Sequence, residues 1–143
     1  MQVGTLVGVD YTPAMLEQAE KQVLRMGWQN VHLLQGDAAQ ISLDRRFDAA
    51  LSTLAMSVIP DYPQALRNMA RHVASGGRIA VADAKNSQRW YARPLNRVST
   101  LLGWGAAASL AREPWKVVEG LVADCFYKEW FIGFFYAAGG KVF

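Results

Sequence analysis

Asp10 closes the apolar run Thr5 to Val9, and Asp37 follows the run Val31 to Leu34 across Gln35-Gly36. A carboxylate just past a buried strand can accept from both hydroxyls of a ribose, because it is acceptor-only and has two oxygens. Two such acids, the second preceded by a glycine that permits close backbone approach, suggest a nucleoside lying across two strand ends. Either acid alone would serve equally well as a cap for the helix that follows. Two further apolar runs end at Ser52-Thr53 and at Asp83; Asp83 could face a substrate or simply hold a turn. His32 and His72 have no companions at metal-ligand spacing, so they read as structural and no metal site is expected. No Ser/His/Asp set has spacing suited to nucleophilic catalysis, and no catalytic residue is assigned. Cys125 reads as a small buried hydrophobe.

The elements that must position these residues alternate. Thr12-Pro13 opens a helix, with Thr12 as N-cap and Pro13 at the first helical position, where a missing N–H costs nothing. Met15, Ala19, Val23 and Met26 follow at near-helical spacing, and Gly27 stops the helix. Strands are predicted over 31–34, over 47–51 and, after Ser75-Gly76-Gly77 turns the chain, over 78–82. A helix over 62–74 places Leu66, Met69, Ala70 and Val73 on one side. From 122 to 142 the chain is dense in β-formers, with Lys128-Glu129 and Gly139-Gly140 as candidate turns, and reads as two closing strands antiparallel to each other. The expected fold class is α/β: a doubly wound, mainly parallel Rossmann-like sheet ending in an antiparallel strand pair.

A length of 143 residues allows one domain, spanning 1–143. With 52% hydrophobic and 19% charged residues, a buried core is feasible and disorder is not expected. No apolar run reaches the roughly 18 residues of a membrane span, and there is no signal-peptide pattern. One cysteine forms no internal disulfide, so a reducing, cytoplasmic setting is expected. The net charge of +3 gives no case for nucleic acid. Its distribution is uneven: residues 1–60 hold four Lys/Arg against six Asp/Glu, and residues 61–143 hold eleven against six. A basic second half suits an anionic substrate or a lipid surface, or is an ordinary solvated face.

Gly8-Val9-Asp10, Thr12-Pro13-Ala14-Met15-Leu16, Gln35-Gly36-Asp37-Ala38, Phe47-Asp48-Ala49 and Ser75-Gly76-Gly77-Arg78 occur in this order. Residues 4–84 thereby resemble class I S-adenosylmethionine-dependent methyltransferases. The resemblance implies that Asp10 binds the ribose hydroxyls and that Tyr11 and Met15 flank the adenine. It implies that Asp37, beside Gly36, accepts from the adenine amino group, with the Ala38 N–H on a ring nitrogen. Ser52, Thr53 and Leu54 would sit near the methionine moiety. The implied cofactor is S-adenosylmethionine, and the implied acceptor is a small or lipid-like molecule. A nicotinamide-dependent dehydrogenase, whose ribose Asp10 would also suit, and a non-catalytic remnant of the fold are the alternatives.

The family's first strand and Gly-rich loop have no counterpart here, because only five residues precede Leu6. The doubly wound order places that strand between the second and the fourth. Buried unpaired backbone groups cost about 1–3 kcal/mol each, so a gap of roughly five residues rivals a domain's net stability of about 5–15 kcal/mol. A truncated chain, a rearranged sheet or a partner that fills the gap would each answer this; the first is expected, and with it a chain inactive in isolation and prone to self-association through unpaired strands. Residues 86–120 are expected to form a helical, lid-like insertion. Arg89, Arg93 and Arg97 would share one helical face beside Trp90 and Tyr91, with Arg112 and Lys116 as a second basic pair. Such a surface suits peripheral contact with a membrane.

Overall fold

Residues 4–92, Pro94 and 110–143 are described by a computed structural model. They form two compact units, residues 1–42 and 43–143.

The first unit is a single βαβ crossover. Strand β1 (Leu6–Asp10) leads through Asp10 and Tyr11 to helix α1 (Pro13–Met26), and strand β2 (Val31–Gln35) returns parallel to β1. Helix α1 begins at Pro13 and ends at Gly27, whose φ of 67° provides the left-handed C-cap. Thr12 is the N-cap position, but its side chain makes no capping bond. None of residues 4–42 is fully buried.

The second unit contains the core. Its sheet comprises β3 (Phe47–Thr53), β4 (Val73–Ala84), β5 (Val122–Trp130) and β6 (Phe135–Val142), in the order β3-β4-β6-β5. The β3–β4 pair is parallel, whereas β6 runs antiparallel to both β4 and β5. Helix α2 (Tyr62–Arg71) makes the β3-to-β4 crossover, and α3 (Pro114–Glu119) precedes β5. The Asp61 carboxylate caps α2 by accepting from the Gln64 N–H at 3.1 Å. Leu66, Val73, Ile79, Val81, Val118 and Tyr136 are fully buried. Each such aliphatic side chain contributes about 1.5–3 kcal/mol by leaving water.

The parallel ladders and the closing antiparallel pair are as the sequence predicts. Among the described residues the parallel ladder is in two pieces, β1-β2 and β3-β4, so β1 and β3 each keep one hydrogen-bonding edge without a strand partner.

Three local expectations are corrected. Helix α2 stops at Arg71 rather than 74, and Val73 already pairs with Phe47. Ser75-Gly76-Gly77 lies inside β4, where Gly76 at φ 78° makes a bulge between the Val73 and Arg78 pairings. Neither candidate turn in the closing pair is one. Lys128-Glu129 lies in β5 and Gly139-Gly140 in β6, and the reversal falls at a 3-10 turn, Phe131–Gly133. A side chain on Gly139 would press into the Ile79 carbonyl, and one on Gly140 would lie 2.5 Å from the Ala123 oxygen. These glycines serve close strand packing. Most of the expected insertion lies outside the described residues, including Arg93 and Arg97; a 3-10 turn (Trp90–Ala92) and α3 are its described elements.

Candidate functional site

In the first unit, Asp10 and Gln35 are paired across the parallel ladder, so Asp10 and the Gly36-Asp37 corner lie at the same, carboxyl ends of neighbouring strands. The Gly36 N–H donates to the Asp10 carbonyl at 3.0 Å, which ties the two ends together. One Asp10 oxygen, Oδ1, accepts from the Thr12 N–H at 2.8 Å. Its Oδ2 has no partner among the described residues. Asp10 thus braces the turn into α1 through one oxygen and leaves the other unengaged among the described residues.

Asp37 is more committed. Its Oδ1 accepts from the Ala39 N–H at 2.8 Å and its Oδ2 from the Gln40 amide at 3.1 Å. These bonds shape the turn that carries Ala38, and each oxygen keeps a second lone pair. Gly36 does not open an approach to a ligand along its Cβ direction: a Cβ there would lie 2.8 Å from the Ile41 side chain. Tyr11, directly after Asp10, is 75% exposed, and Met15, in the first turn of α1, is 52% exposed.

In the second unit, Ser52 and Thr53 end β3, and Leu54 adopts a left-handed backbone at φ 53° while remaining 62% exposed. Its N–H donates to the Ala82 carbonyl at 2.9 Å, which holds the turn to β4. The loop that follows is gripped from two sides. Asp83, fully buried at the end of β4, accepts from the Ser57 N–H at 2.8 Å and the Ser57 hydroxyl at 2.9 Å. It also accepts from the Ala84 N–H at 2.7 Å, so it is a loop anchor and not a free acid. The Arg112 guanidinium donates to the Ile59 carbonyl and, more weakly at 3.4 Å, to those of Met56 and Ser57, and it lies over the Tyr62 ring. Lys116 pairs with Glu113 at 2.6 Å. Arg112 and Lys116 are therefore not a free basic pair.

A further cluster escaped the sequence reading. Lys85 is only 3% exposed, and its ammonium pairs with Glu129 and lies 4.8 Å from the Trp115 ring centroid and 5.6 Å from that of Tyr127. The Tyr127 hydroxyl donates to Glu129 at 2.5 Å. Burial works against the Lys85 charge, but the bonds to Glu129 and Tyr127 outweigh it and raise its pKa. The bonds from Lys85 and Tyr127 hold Glu129 below the usual carboxylate range. Burial, helped by Glu129, pushes the Tyr127 phenol up. The cluster borders a cavity of about 550 Å³ between α3 and β5. A composition scan gives no signal for it, since Lys85 and Glu129 meet only through the β4-β6-β5 order.

Neither histidine belongs to a site. His72 Nε2 accepts from the Leu43 N–H at 3.0 Å, and its Nδ1 faces the Asn68 carbonyl at 2.8 Å. Cys125 is exposed and not buried, because a bulge between Ala123 and Phe126, with Asp124 at φ 52°, turns it outward. Among the described residues no group of His, Cys, Asp or Glu is arranged to hold a metal ion.

Parallel ladders with acids at their carboxyl ends and a closing antiparallel pair are the marks of a Rossmann-like fold. A family model for the methyltransferase domain matches residues 1–77, and the chain belongs to that family. It is 32% identical over 81 residues to a demethylmenaquinone methyltransferase of Listeria monocytogenes, a match covering 56% of this chain and 34% of that protein. It is 28% identical over 113 residues to a phosphatidylethanolamine N-methyltransferase of Cereibacter sphaeroides, covering 75% and 56%. In three dimensions it resembles the N-methyltransferase NodS of Bradyrhizobium japonicum, solved with S-adenosyl-L-homocysteine, at a TM-score of 0.71 and 16% identity over 96% of this chain and 66% of that one. The chain spans between a third and three-fifths of the length of these two curated relatives. Family membership decides against the dehydrogenase alternative.

Proposed function

We propose that the chain binds the nucleoside end of S-adenosylmethionine and takes part in methyl transfer to a small or lipid-like acceptor, of the quinone or phospholipid kind on which the relatives act. The observation that supports this best is the half-free Asp10 carboxylate beside the Gly36-Asp37 corner, on adjacent strand ends. The acceptor set suits the hydroxyls and amino group of a nucleoside. Asp10 Oδ2 would accept from ribose hydroxyls, Tyr11 and Met15 would flank the base, and Asp37 would accept from its amino group while the Ala38 turn lines its edge. The assignment of Ser52, Thr53 and Leu54 to the methionine moiety is a separate proposal, made for the second unit by itself.

Bound S-adenosylmethionine supplies an electrophilic methyl group. What the protein adds is alignment, and a misplacement of about 1 Å already costs roughly 100-fold. The loop after β3 is accordingly fixed by Asp83 and Arg112. Self-association through the open β1 and β3 edges accompanies this reading, and light scattering across a concentration series checks it.

Calorimetry with S-adenosylhomocysteine tests the binding. Asp10→Ala and Asp37→Ala should each weaken affinity by about 1.5–3 kcal/mol, or roughly 10- to 150-fold. Both variants lying within about threefold of the wild type would overturn the nucleoside assignment.

A further inference from the structure

The loop after β3 contains one helical turn. The Ala55 carbonyl accepts from the Val58 N–H at 3.0 Å and from the Ile59 N–H at 2.9 Å. A turn this short does not hold itself, and the carbonyls after its first residue find no partner within it. Met56 and Ser57 are buried, so leaving their carbonyls unpaired would be costly.

Arg112 supplies the missing donor. Its Nη1 reaches the Ile59 carbonyl and, at 3.4 Å, those of Met56 and Ser57. Its guanidinium also lies 5.4 Å from the centroid of the Tyr62 ring, at the start of α2. Asp83 holds the same turn by the opposite polarity, taking the N–H and the hydroxyl of Ser57. Ser57 is thus gripped by a carboxylate through its donors and by a guanidinium through its carbonyl. Immediately before this turn stands Leu54, left-handed at φ 53° and tied by its N–H to the Ala82 carbonyl. A strained conformation of this kind persists only where its surroundings over-determine it, and Arg112 is one of those surroundings.

We propose that Arg112 is a positioning residue: it sets the loop so that Ser52, Thr53 and Leu54 are presented to the methionine end of S-adenosylmethionine, without touching the cofactor itself. This rests on the assignment of those three residues to that end. A guanidinium suits the task, since it keeps its charge and its donors form a rigid planar fork.

The test is calorimetry on the full chain with S-adenosylhomocysteine and with adenosine, which lacks the homocysteine end. The ratio of the two affinities isolates what that end contributes. Arg112→Met keeps an apolar stem over Tyr62 and removes every donor. It should lower the ratio by about tenfold, or about 1.4 kcal/mol, and leave adenosine affinity within about twofold. Arg112→Lys keeps the charge but not the fork, so it should lower the ratio by only about threefold. It carries the test alone if Arg112→Met does not fold. A residue that serves stability only would lower Tm and leave the ratio unchanged. An unchanged ratio in Arg112→Met, or in Arg112→Lys where only that variant folds, therefore overturns the proposal, as does an equal loss of both ligands. A wild type that binds S-adenosylhomocysteine no more tightly than adenosine overturns the methionine-end assignment itself, and the proposal with it.

Discussion

Asp83 takes two hydrogen bonds from Ser57, one from its backbone N–H at 2.8 Å and one from its hydroxyl at 2.9 Å. Both residues are buried, so the carboxylate fixes the loop after β3 from inside the fold. Its position at the end of β4 is where the topology places chemistry, yet its oxygens are occupied by the chain itself. Ser57→Ala removes one bond to a charged acceptor and should cost about 1.5–3 kcal/mol. Asp83→Ala strands both Ser57 donors and the Ala84 N–H, each costing about 1–3 kcal/mol, and should destabilise at least about twice as much. Urea denaturation of the two variants checks the ranking; equal losses would show that the loop is held by something else.

The Lys85–Glu129–Tyr127 cluster sets a pH window. Glu129 is held below its ordinary value, so its contribution is complete above the unfolded carboxylate pKa of about 4.3 and is lost as pH falls through the folded value. Lys85 and Tyr127 are both raised. Their contributions are complete below unfolded values of about 10.4 and 10 and are lost as pH rises toward the folded ones. The Tm of the wild type should therefore be flat between about pH 5 and 9 with respect to this cluster and fall on both sides. Glu129→Gln should lower stability at neutral pH by about 2–3 kcal/mol, because it leaves the Lys85 charge buried and unpaired. Adding Lys85→Met should restore most of that loss. A Tm that falls as steeply below pH 5 in Glu129→Gln as in the wild type would show that other carboxylates govern the acid limb.

Local punctuation made much of the fold legible. Pro13 and Gly27 bracket α1 at its observed ends, and the acids Asp10, Asp37 and Asp83 mark three strand ends. What stayed hidden depends on residues far apart in the chain. The true hairpin turn is Phe131–Gly133, whose first two residues carry no turn preference, and the Ile132 carbonyl is held by Ser87, 45 positions away. The pairing of Lys85 with Glu129 follows from strand order, which no periodicity encodes. Asp83 was visible as an acid at a strand end, but whether it faces a ligand or the chain is decided by Ser57 in another loop.

Gly139 illustrates the same limit and can be tested directly. Read as a turn residue it would tolerate alanine, whereas in β6 its Cβ direction is occupied by the Ile79 carbonyl and, at 3.0 Å, by the Ala80 Cα and a Phe126 ring atom. These are mostly backbone atoms, which yield little. Gly139→Ala should therefore destabilise by about 3 kcal/mol or more, through overpacking. Gly120→Ala, whose Cβ would meet its nearest neighbour at 3.5 Å, should change stability by less than about 1 kcal/mol. Thermal melts of the two variants distinguish the strand from the turn, and a Gly139→Ala variant as stable as Gly120→Ala would reject the close β4–β6 packing.

Leu54 joins the fold to the proposed function. A left-handed, non-glycine residue costs about 1–2 kcal/mol, and Leu54 recovers little of that by burial because its side chain is mostly exposed. Its N–H bond to Ala82 and the loop anchored by Asp83 hold it in place. If the strain is kept for stability alone, Leu54→Gly should only help. If the side chain instead contacts the methionine end of the cofactor, Leu54→Gly should leave stability unchanged or raise it by up to about 1 kcal/mol, the usual gain from easing a positive φ. The same substitution should weaken S-adenosylhomocysteine binding by several-fold, since the contact is lost and the loop gains backbone freedom. Chemical denaturation and calorimetry on one preparation read both quantities. Affinity equal to the wild type in the variant would remove Leu54 from the site and leave its strain without a functional cause.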